Sequence, residues 1–328
     1  MSIPVVSLEP IIRASANADE TVATDLKAAL GSWGAFELVD HGVPIATIDG
    51  AFAAANTFFR LPVEERMKVR IDRHNRGYAP LHQTVYPGNL PDLKESFNVG
   101  TRLTADDPDV KAGKPLHGVN QWPESSDFRT AVETYFDAMM ALGDRLLGPL
   151  ALCLGLSPSA LRARYHKPVA FMRLFHYPPN SNVAQNEFGA AEHKDYGFLT
   201  ILAQDSTGGL EVRSPAGELV AAPPRRSNFI VNAGDMLSEI TAGRIRSAPH
   251  RVINRAGVGR YSIPFFYDPD FDARFDSMPE FSAGEFLLAK FNKFYKYRKE
   301  LSEPAARAAA GAGQRSRDRH IVILRSLM

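Results

Sequence analysis

Apolar residues recur along the first sixty positions with two periods. Ile3 to Leu8 is a short apolar run of strand length. Val22, Leu26, Ala29, Leu30 and Trp33 then return every three or four residues, the spacing of one helix face, and Gly34 ends that run. Ala35 to Val39 reads as a second strand. The turn His41-Gly42-Val43-Pro44 leads into another helix, with Ile45, Ile48, Phe52 and Ala55 on one face. From 72 to 130 glycine and proline are frequent and the periodicity fades. Long loops and short strands over a core are expected there, and loops of that length often carry function. Helical spacing resumes from about Ala131 to Leu156, with Val132, Phe136, Met139 and Met140 as the buried stripe and Pro149 as a candidate kink. Ser157-Pro158 fits the cap and first-turn proline of a short helix.

From about Ala170 to Asp268 the pattern becomes short strands punctuated by glycine and proline, which predicts a sandwich or barrel. Ser282 and Glu285 form a capping box for a helix to about Glu300. A tail from Ala305 is rich in Ala, Gly and Arg and ends in a short apolar stretch, Ile321 to Leu324. The expected fold class is mixed α/β with a mainly β core. The expected organisation is an N-terminal region of helices and long loops (1–130), a helix plus catalytic core and C-terminal helix (131–304), and a tail (305–328).

Composition narrows the class of function. Hydrophobic residues make up 45 % and charged residues 23 %, which is globular rather than disordered composition. Thirty-eight Lys and Arg against 37 Asp and Glu leave a net charge of +1, so electrostatics gives no reason to expect nucleic acid or an anionic membrane as partner. Cys153 is the single cysteine, which rules out an internal disulfide and fits a reducing compartment. The N-terminus has no basic region followed by a long apolar stretch, and no apolar run reaches membrane-spanning length. A cytoplasmic protein with a small-molecule partner is expected.

The chemistry concentrates in a few segments. His193 and Asp195 lie two residues apart in Glu192-His193-Lys194-Asp195-Tyr196-Gly197, so on a strand they would share one face. His250 follows 57 residues later in another strand candidate. Two imidazoles and one carboxylate on one side of a metal leave the opposite positions open, which suits iron(II) that binds a co-substrate and O2 together. Three histidines would suit a zinc-bound hydroxide better. The other histidines (His41, His74, His82, His117, His166, His176 and His320) are expected to be packed or hydrogen-bonded. Ten residues after His250, Arg260 and Ser262 would share a strand face and could trap a carboxylate, such as the distal end of a dicarboxylic 2-oxoacid. Upstream, Arg173, Phe175 and Tyr177 would share another face, with Arg173 and Tyr177 able to bond the same oxoacid. Residues 78 to 100, the 181 to 191 loop and the apolar run after Ser262 are the expected pocket walls.

These segments together resemble the iron(II)/2-oxoglutarate-dependent oxygenases of the isopenicillin N synthase-like branch, over roughly residues 3 to 300. The N-terminal matches are Ile3-Pro4-Val5-Val6, Gly34-Ala35-Phe36, His41-Gly42-Val43-Pro44, Phe58-Phe59-Arg60-Leu61-Pro62 and Lys94-Glu95-Ser96-Phe97. The catalytic matches are His193-Lys194-Asp195-Tyr196-Gly197, Gly208-Gly209-Leu210-Glu211-Val212, Asn232-Ala233-Gly234-Asp235-Met236, Ser247-Ala248-Pro249-His250-Arg251-Val252 and Arg260-Tyr261-Ser262. The resemblance implies a distorted double-stranded β-helix (jelly roll) wrapped by N-terminal, central and C-terminal helices. It implies His193, Asp195 and His250 as ligands of Fe(II). It implies Arg260, Ser262 and Tyr177 as contacts of the co-substrate 2-oxoglutarate, with O2 the other co-substrate. It gives His41, Gly234 and Asp235 structural roles. The implied reaction is hydroxylation, desaturation or ring closure of a small molecule through an iron(IV)-oxo oxidant, in secondary or antibiotic metabolism among other settings.

Two departures stand out. Phe175 stands where many plant-type members carry Asn, and Arg173 could compensate for the lost polar contact. The segment from Lys111 to Gly118, with Trp122-Pro123 after it, looks more like bacterial and fungal members. An iron oxidase that uses no 2-oxoglutarate, of the isopenicillin N synthase type, and a non-catalytic small-molecule binder on the same fold are the alternative readings.

Overall fold

The helical stripe at the N-terminus forms where its spacing predicts. A computed structural model describes residues 2–86, 88–179, 188–254 and 257–298. In chain order the first elements are β1 (Val5–Ser7), α1 (Glu9–Ile12), α2 (Ala18–Ser32), β2 (Ala35–Val39), α3 (Ile45–Phe59), α4 (Val63–Met67), β3 (Gly77–Ala79), β4 (Glu95–Gly100) and α5 (Pro108–Lys111). Helix α2 buries Val22, Leu26, Ala29 and Leu30 as expected. Helix α3 is rotated from the expected face. It buries Ile48, Ala51, Ala54, Ala55, Phe58 and Phe59, whereas Ile45 is 46 % exposed in its first turn.

The central elements are α6 (Ser126–Leu154) and α7 (Pro158–Arg162). Helix α6 starts five residues before the expected Ala131. The Ser125 hydroxyl caps it by accepting from the Phe128 amide at 3.2 Å, and Phe128 is already buried. Pro149 lies inside this helix without ending it. Ser157 caps α7 by accepting from Ala160 N at 3.2 Å.

Ten further elements complete the order: β5 (Pro168–Tyr177), β6 (Ala190–His193), β7 (Leu199–Gln204), β8 (Leu210–Arg213), β9 (Leu219–Ala221), β10 (Phe229–Ala233), α8 (Asp235–Ile240), β11 (His250–Val252), β12 (Arg260–Asp270) and α9 (Ala283–Phe294). Among the described residues the strands form two sheets. The larger runs β1-β2-β10-β7-β12-β5-β4-β3 and the smaller β6-β11-β8-β9. All neighbouring pairs are antiparallel except β1 with β2. The larger sheet draws strands from both ends of the chain, and its nearly continuous buried pattern shows that both faces are covered. Helices α2 and α3 pack on α6.

The capping box expected at the last helix is present: Ser282 accepts from Glu285 N and the Glu285 carboxylate accepts from Ser282 N at 2.7 Å. Helix α9 does not run unbroken to Glu300. At Tyr295 the backbone turns extended, and this residue forms an isolated bridge with Thr84. The expected tail from Ala305, including Ile321 to Leu324, lies outside the described residues, as does His320.

Candidate active site

The smaller sheet delivers two imidazoles. His193 ends β6, His250 begins β11, and the antiparallel register sets them directly opposite each other. Their ring centroids are 4.4 Å apart. Each ring is oriented by its own backbone: His193 Nδ1 donates to the Ala191 carbonyl at 2.7 Å, and His250 Nδ1 to the Ala248 carbonyl at 3.0 Å. A carbonyl oxygen can only accept, so each Nδ1 carries a proton and Nε2 is the nitrogen left to ligate a metal.

Asp195 arrives by another route. The expectation of His193 and Asp195 side by side on a strand face is corrected: β6 ends at His193 and Asp195 lies two residues beyond. A turn carries the carboxylate in. The amides of Gly234, Asp235 and Met236 donate to the carbonyls of Phe198, Asp195 and Tyr196 at 3.2, 2.8 and 3.1 Å. A side chain at Gly234 would put its Cβ 2.1 Å from the Gly197 carbonyl oxygen, so only glycine allows this approach. Asn232 Nδ2 donates to Asp195 Oδ2 at 3.4 Å, and Asp195 Oδ1 lies 3.8 Å from His250 Nε2. One ligand atom from each of His193, Asp195 and His250 lies within 4.8 Å of the other two. Burial first, then the neighbouring His250 and Lys94, hold the His193 imidazole well below its usual pKa, so it stays neutral and able to donate its lone pair. Two imidazoles and one carboxylate around a common point are a donor set that fits Fe(II).

The larger sheet supplies the second half of the site. Arg260 and Ser262 on β12 stand opposite Tyr177 and Phe175 on β5. Arg260 is fully buried. Its Nε donates to Gly208 O at 2.5 Å, its Nη2 to Gln204 Oε1 at 3.1 Å, and its guanidinium lies 4.8 Å over the Tyr177 ring. Among the described residues its Nη1 has no hydrogen-bond partner. Ser262 Oγ donates to the Tyr177 hydroxyl at 3.4 Å. An unspent N–H on a buried cation is costly unless a ligand accepts it, and an anionic oxygen is the natural acceptor.

His193, Asp195, His250, Tyr177, Ser262 and Arg173 line one pocket, and Arg260 packs behind Tyr177. Of the expected walls, Thr84, Tyr86 and Lys94 come from the 78 to 100 region, and Pro264 and Phe266 from the apolar run after Ser262. Residues 181–187 lie outside the described residues. Leu287 and Phe291 of α9, together with Tyr295, form a wall that periodicity alone did not reveal. Phe175 lines the pocket as an apolar surface, at the position where many plant-type members of the resembled family carry Asn.

Several positioning residues were also missed. The Asp92 carboxylate pairs with Lys94 at 2.6 Å and accepts from the Ala191 amide at 3.0 Å, bracing the residue whose carbonyl holds His193. Tyr86 stacks on His193 with centroids 5.0 Å apart. Only Lys94 and Asn232 carried a signal, through the motifs that contain them. The histidines expected to be structural include His41, which donates to Ser227 O at 2.8 Å and accepts from Val43 N at 3.0 Å, and His176, paired with Glu95 at 2.8 Å.

Comparison with known proteins agrees with this geometry. Residues 3–125 match the family described as the non-haem dioxygenase in morphine synthesis N-terminal domain. Residues 159–269 match the 2OG-Fe(II) oxygenase superfamily. A 2-oxoglutarate-dependent dioxygenase of Monascus ruber, citB, is 37 % identical over 284 residues, covering 83 % of this chain and 86 % of that protein. Clavatol oxidase of Penicillium crustosum is 33 % identical over 292 residues, 82 % of this chain and 86 % of that protein. Among solved structures, a full-length Neurospora crassa protein in complex with α-KG superposes with a TM-score of 0.76 at 26 % identity, covering 89 % of this chain and 96 % of that one. A second structure of the same Neurospora crassa protein holds α-KG and thymine.

Proposed function

This chain belongs to the 2OG-Fe(II) oxygenase superfamily, and from that membership we propose how its residues divide the work. It is an enzyme, a 2-oxoglutarate-dependent dioxygenase that uses Fe(II), 2-oxoglutarate and O2. His193, Asp195 and His250 are the proposed iron ligands. Arg260 is the proposed anchor of the distal carboxylate of 2-oxoglutarate, with Ser262 and Tyr177 beside it. The observation that carries this assignment is the unpartnered Nη1 of a fully buried Arg260 behind the pocket that holds the three donors.

Bound iron supplies activation of O2, coupled to decarboxylation of 2-oxoglutarate to succinate and CO2 and to oxidation of a second substrate. The protein holds and orients. Ala191 and Ala248 fix the two imidazoles, and the turn at Gly234 fixes the carboxylate. Tyr86, Phe291 and Leu287 keep the pocket dry. The second substrate is a small molecule in this reading, of secondary or antibiotic metabolism among others. Clavatol oxidase among the relatives and thymine in the Neurospora crassa complex support that class.

The fold is read as a distorted double-stranded β-helix of the isopenicillin N synthase-like branch, with the two mainly antiparallel sheets as its halves. Residues 1–130, 131–304 and 305–328 are read as N-terminal region, core and tail. A cytoplasmic location fits the single cysteine. No helix among the described residues is long and apolar enough to cross a membrane.

The deciding experiment measures succinate release from 2-oxoglutarate by the iron-loaded enzyme during a screen of small metabolites. Substrate-stimulated succinate is expected. Oxygen consumption with product but no succinate would overturn the assignment of Arg260 and its neighbours to 2-oxoglutarate.

A further inference from the structure

Arg173 and Lys94 both place a positive charge in the pocket, and both are buried. Lys94 is neutralised by Asp92 at 2.6 Å. Arg173 is not: its electrostatic neighbours are Tyr295, Tyr297 and Tyr86, and among the described residues no acid pairs with it. Its guanidinium lies 4.6 Å over the ring of Tyr295 and 5.6 Å over that of Phe266. The two ring faces cover the flat of the guanidinium, and the Tyr295 hydroxyl also accepts from one of its N–H groups, so its only partners among the described residues are neutral ones. A buried cation lining a pocket without a counter-ion is a receptor for an anion.

The co-substrate does not fit this role. Arg173 sits four residues from Tyr177 on the same face of β5, roughly 13 Å along the strand. Tyr177 marks the Arg260 end of the pocket. A five-carbon diacid spanning the three donors and Arg260 has both carboxylates engaged there, so Arg173 is left for a second molecule.

We propose that Arg173 anchors the primary substrate, and that this substrate carries an ionised carboxylate joined to a flat apolar skeleton lying against Tyr295, Phe266 and Phe291. This rests on the oxygenase reading of the same pocket, and it moves Arg173 from the co-substrate to the substrate. Anchoring by the carboxylate fixes how far the skeleton reaches towards the three donors, and so selects which carbon is oxidised.

The test uses full-length enzyme with Fe(II) and saturating 2-oxoglutarate, without oxygen. Matched probes are titrated by calorimetry: 4-methylbenzoate and 4-methylbenzamide, cinnamate and cinnamamide, 1-naphthoate and 1-naphthamide. In the native enzyme at least one carboxylate should bind about tenfold or more tighter than its amide. Arg173→Gln should erase that preference, while the Kd for 2-oxoglutarate moves by less than about threefold. Arg173→Lys should keep the preference but reduce it, because a point charge replaces a fork; this variant decides the matter if the Gln variant does not fold. The proposal is overturned if no acid is preferred, if the preference is unchanged in the variants, or if 2-oxoglutarate affinity falls about tenfold with Arg173→Gln. Iron and 2-oxoglutarate binding are measured in the same native samples. Their absence defeats the oxygenase reading and the anchor with it; their presence without acid preference defeats the anchor alone.

Discussion

Glu95 on β4 and Arg260 on β12 are both buried charges in one sheet, yet their surroundings differ in kind. Both Glu95 oxygens are occupied: Oε1 accepts from His176 at 2.8 Å, and Oε2 accepts from Arg66 and from the Tyr78 hydroxyl. Arg260 has a carbonyl, an amide oxygen and a ring face, but no carboxylate among the described residues, and its Nη1 is unspent. A closed network holds strands together, because all of its charge is met within the protein. An open one is complete only with a ligand. The same contrast separates Lys94, paired to Asp92, from Arg173. It also separates the histidines: His41 uses both ring nitrogens on the backbone, whereas His193 and His250 use one each.

The sharpest way to break this contrast is to remove one open group. His193→Ala should lower kcat by about a thousandfold or more and abolish stoichiometric iron, because metal chemistry supplies most of the rate. Elemental analysis and succinate release check this, and a variant that retains both would remove His193 from the metal site. The opposite case is Glu95→Ala, which leaves Arg66 without its buried partner and should cost about 3–5 kcal/mol in urea unfolding. The folded fraction should keep its iron; loss of iron at unchanged stability would reverse the roles of the two networks.

Arg260→Gln comes next. It should raise the Kd for 2-oxoglutarate about 10- to 100-fold with iron content nearly intact. Equal loss of both, measured by calorimetry and metal analysis, would make Arg260 a structural residue.

The smallest effect belongs to an intermediate case. Asp268 is buried, and its Oδ1 accepts from Phe198 N at 2.6 Å. Burial pushes its carboxyl up to about 7, and nearby Asp195 adds to the shift. In the unfolded chain this acid ionises near its ordinary value of 3.8, while the folded protein keeps the proton to about 7. The folded state therefore loses stability as pH rises through that window, and the loss then levels off. Asn cannot ionise, so Asp268→Asn in the metal-free protein should gain more in Tm at pH 8 than at pH 5. An equal gain at both pH values would show that Asp268 does not titrate in this range.

The closed and open groups were unequally legible in the sequence. The proposed metal donors were readable as candidates because His193, Asp195 and His250 stand in ordered motifs, and Arg260-x-Ser262 because β alternation puts both on one face. The route of Asp195 was not. It depends on hydrogen bonds between residues 195–198 and 234–236, a long-range pairing that no local period encodes. Tyr295 escaped for a related reason: helical spacing continues past Phe294, but the bridge to Thr84 breaks the helix and brings the ring over Arg173. The start of α6 was missed because Ser125 caps it ahead of the visible stripe, and the face of α3 because Ala51, Ala54 and Ala55 are buried where Ile45 is exposed. Tertiary contact decided each of these against local pattern.

The imidazole orientation has one further consequence. Each of the two imidazoles proposed to hold iron takes its direction from a carbonyl two positions earlier in the sequence. That hydrogen bond is written within three residues, and the further supports of His193 are Asp92 behind Ala191 and the ring of Tyr86. A lineage built on this chain can exchange Phe266, Leu287 or Tyr295 and alter what enters, while keeping the hydrogen bonds that aim the proposed iron ligands. Substrate choice and oxidative power are in that sense separately heritable.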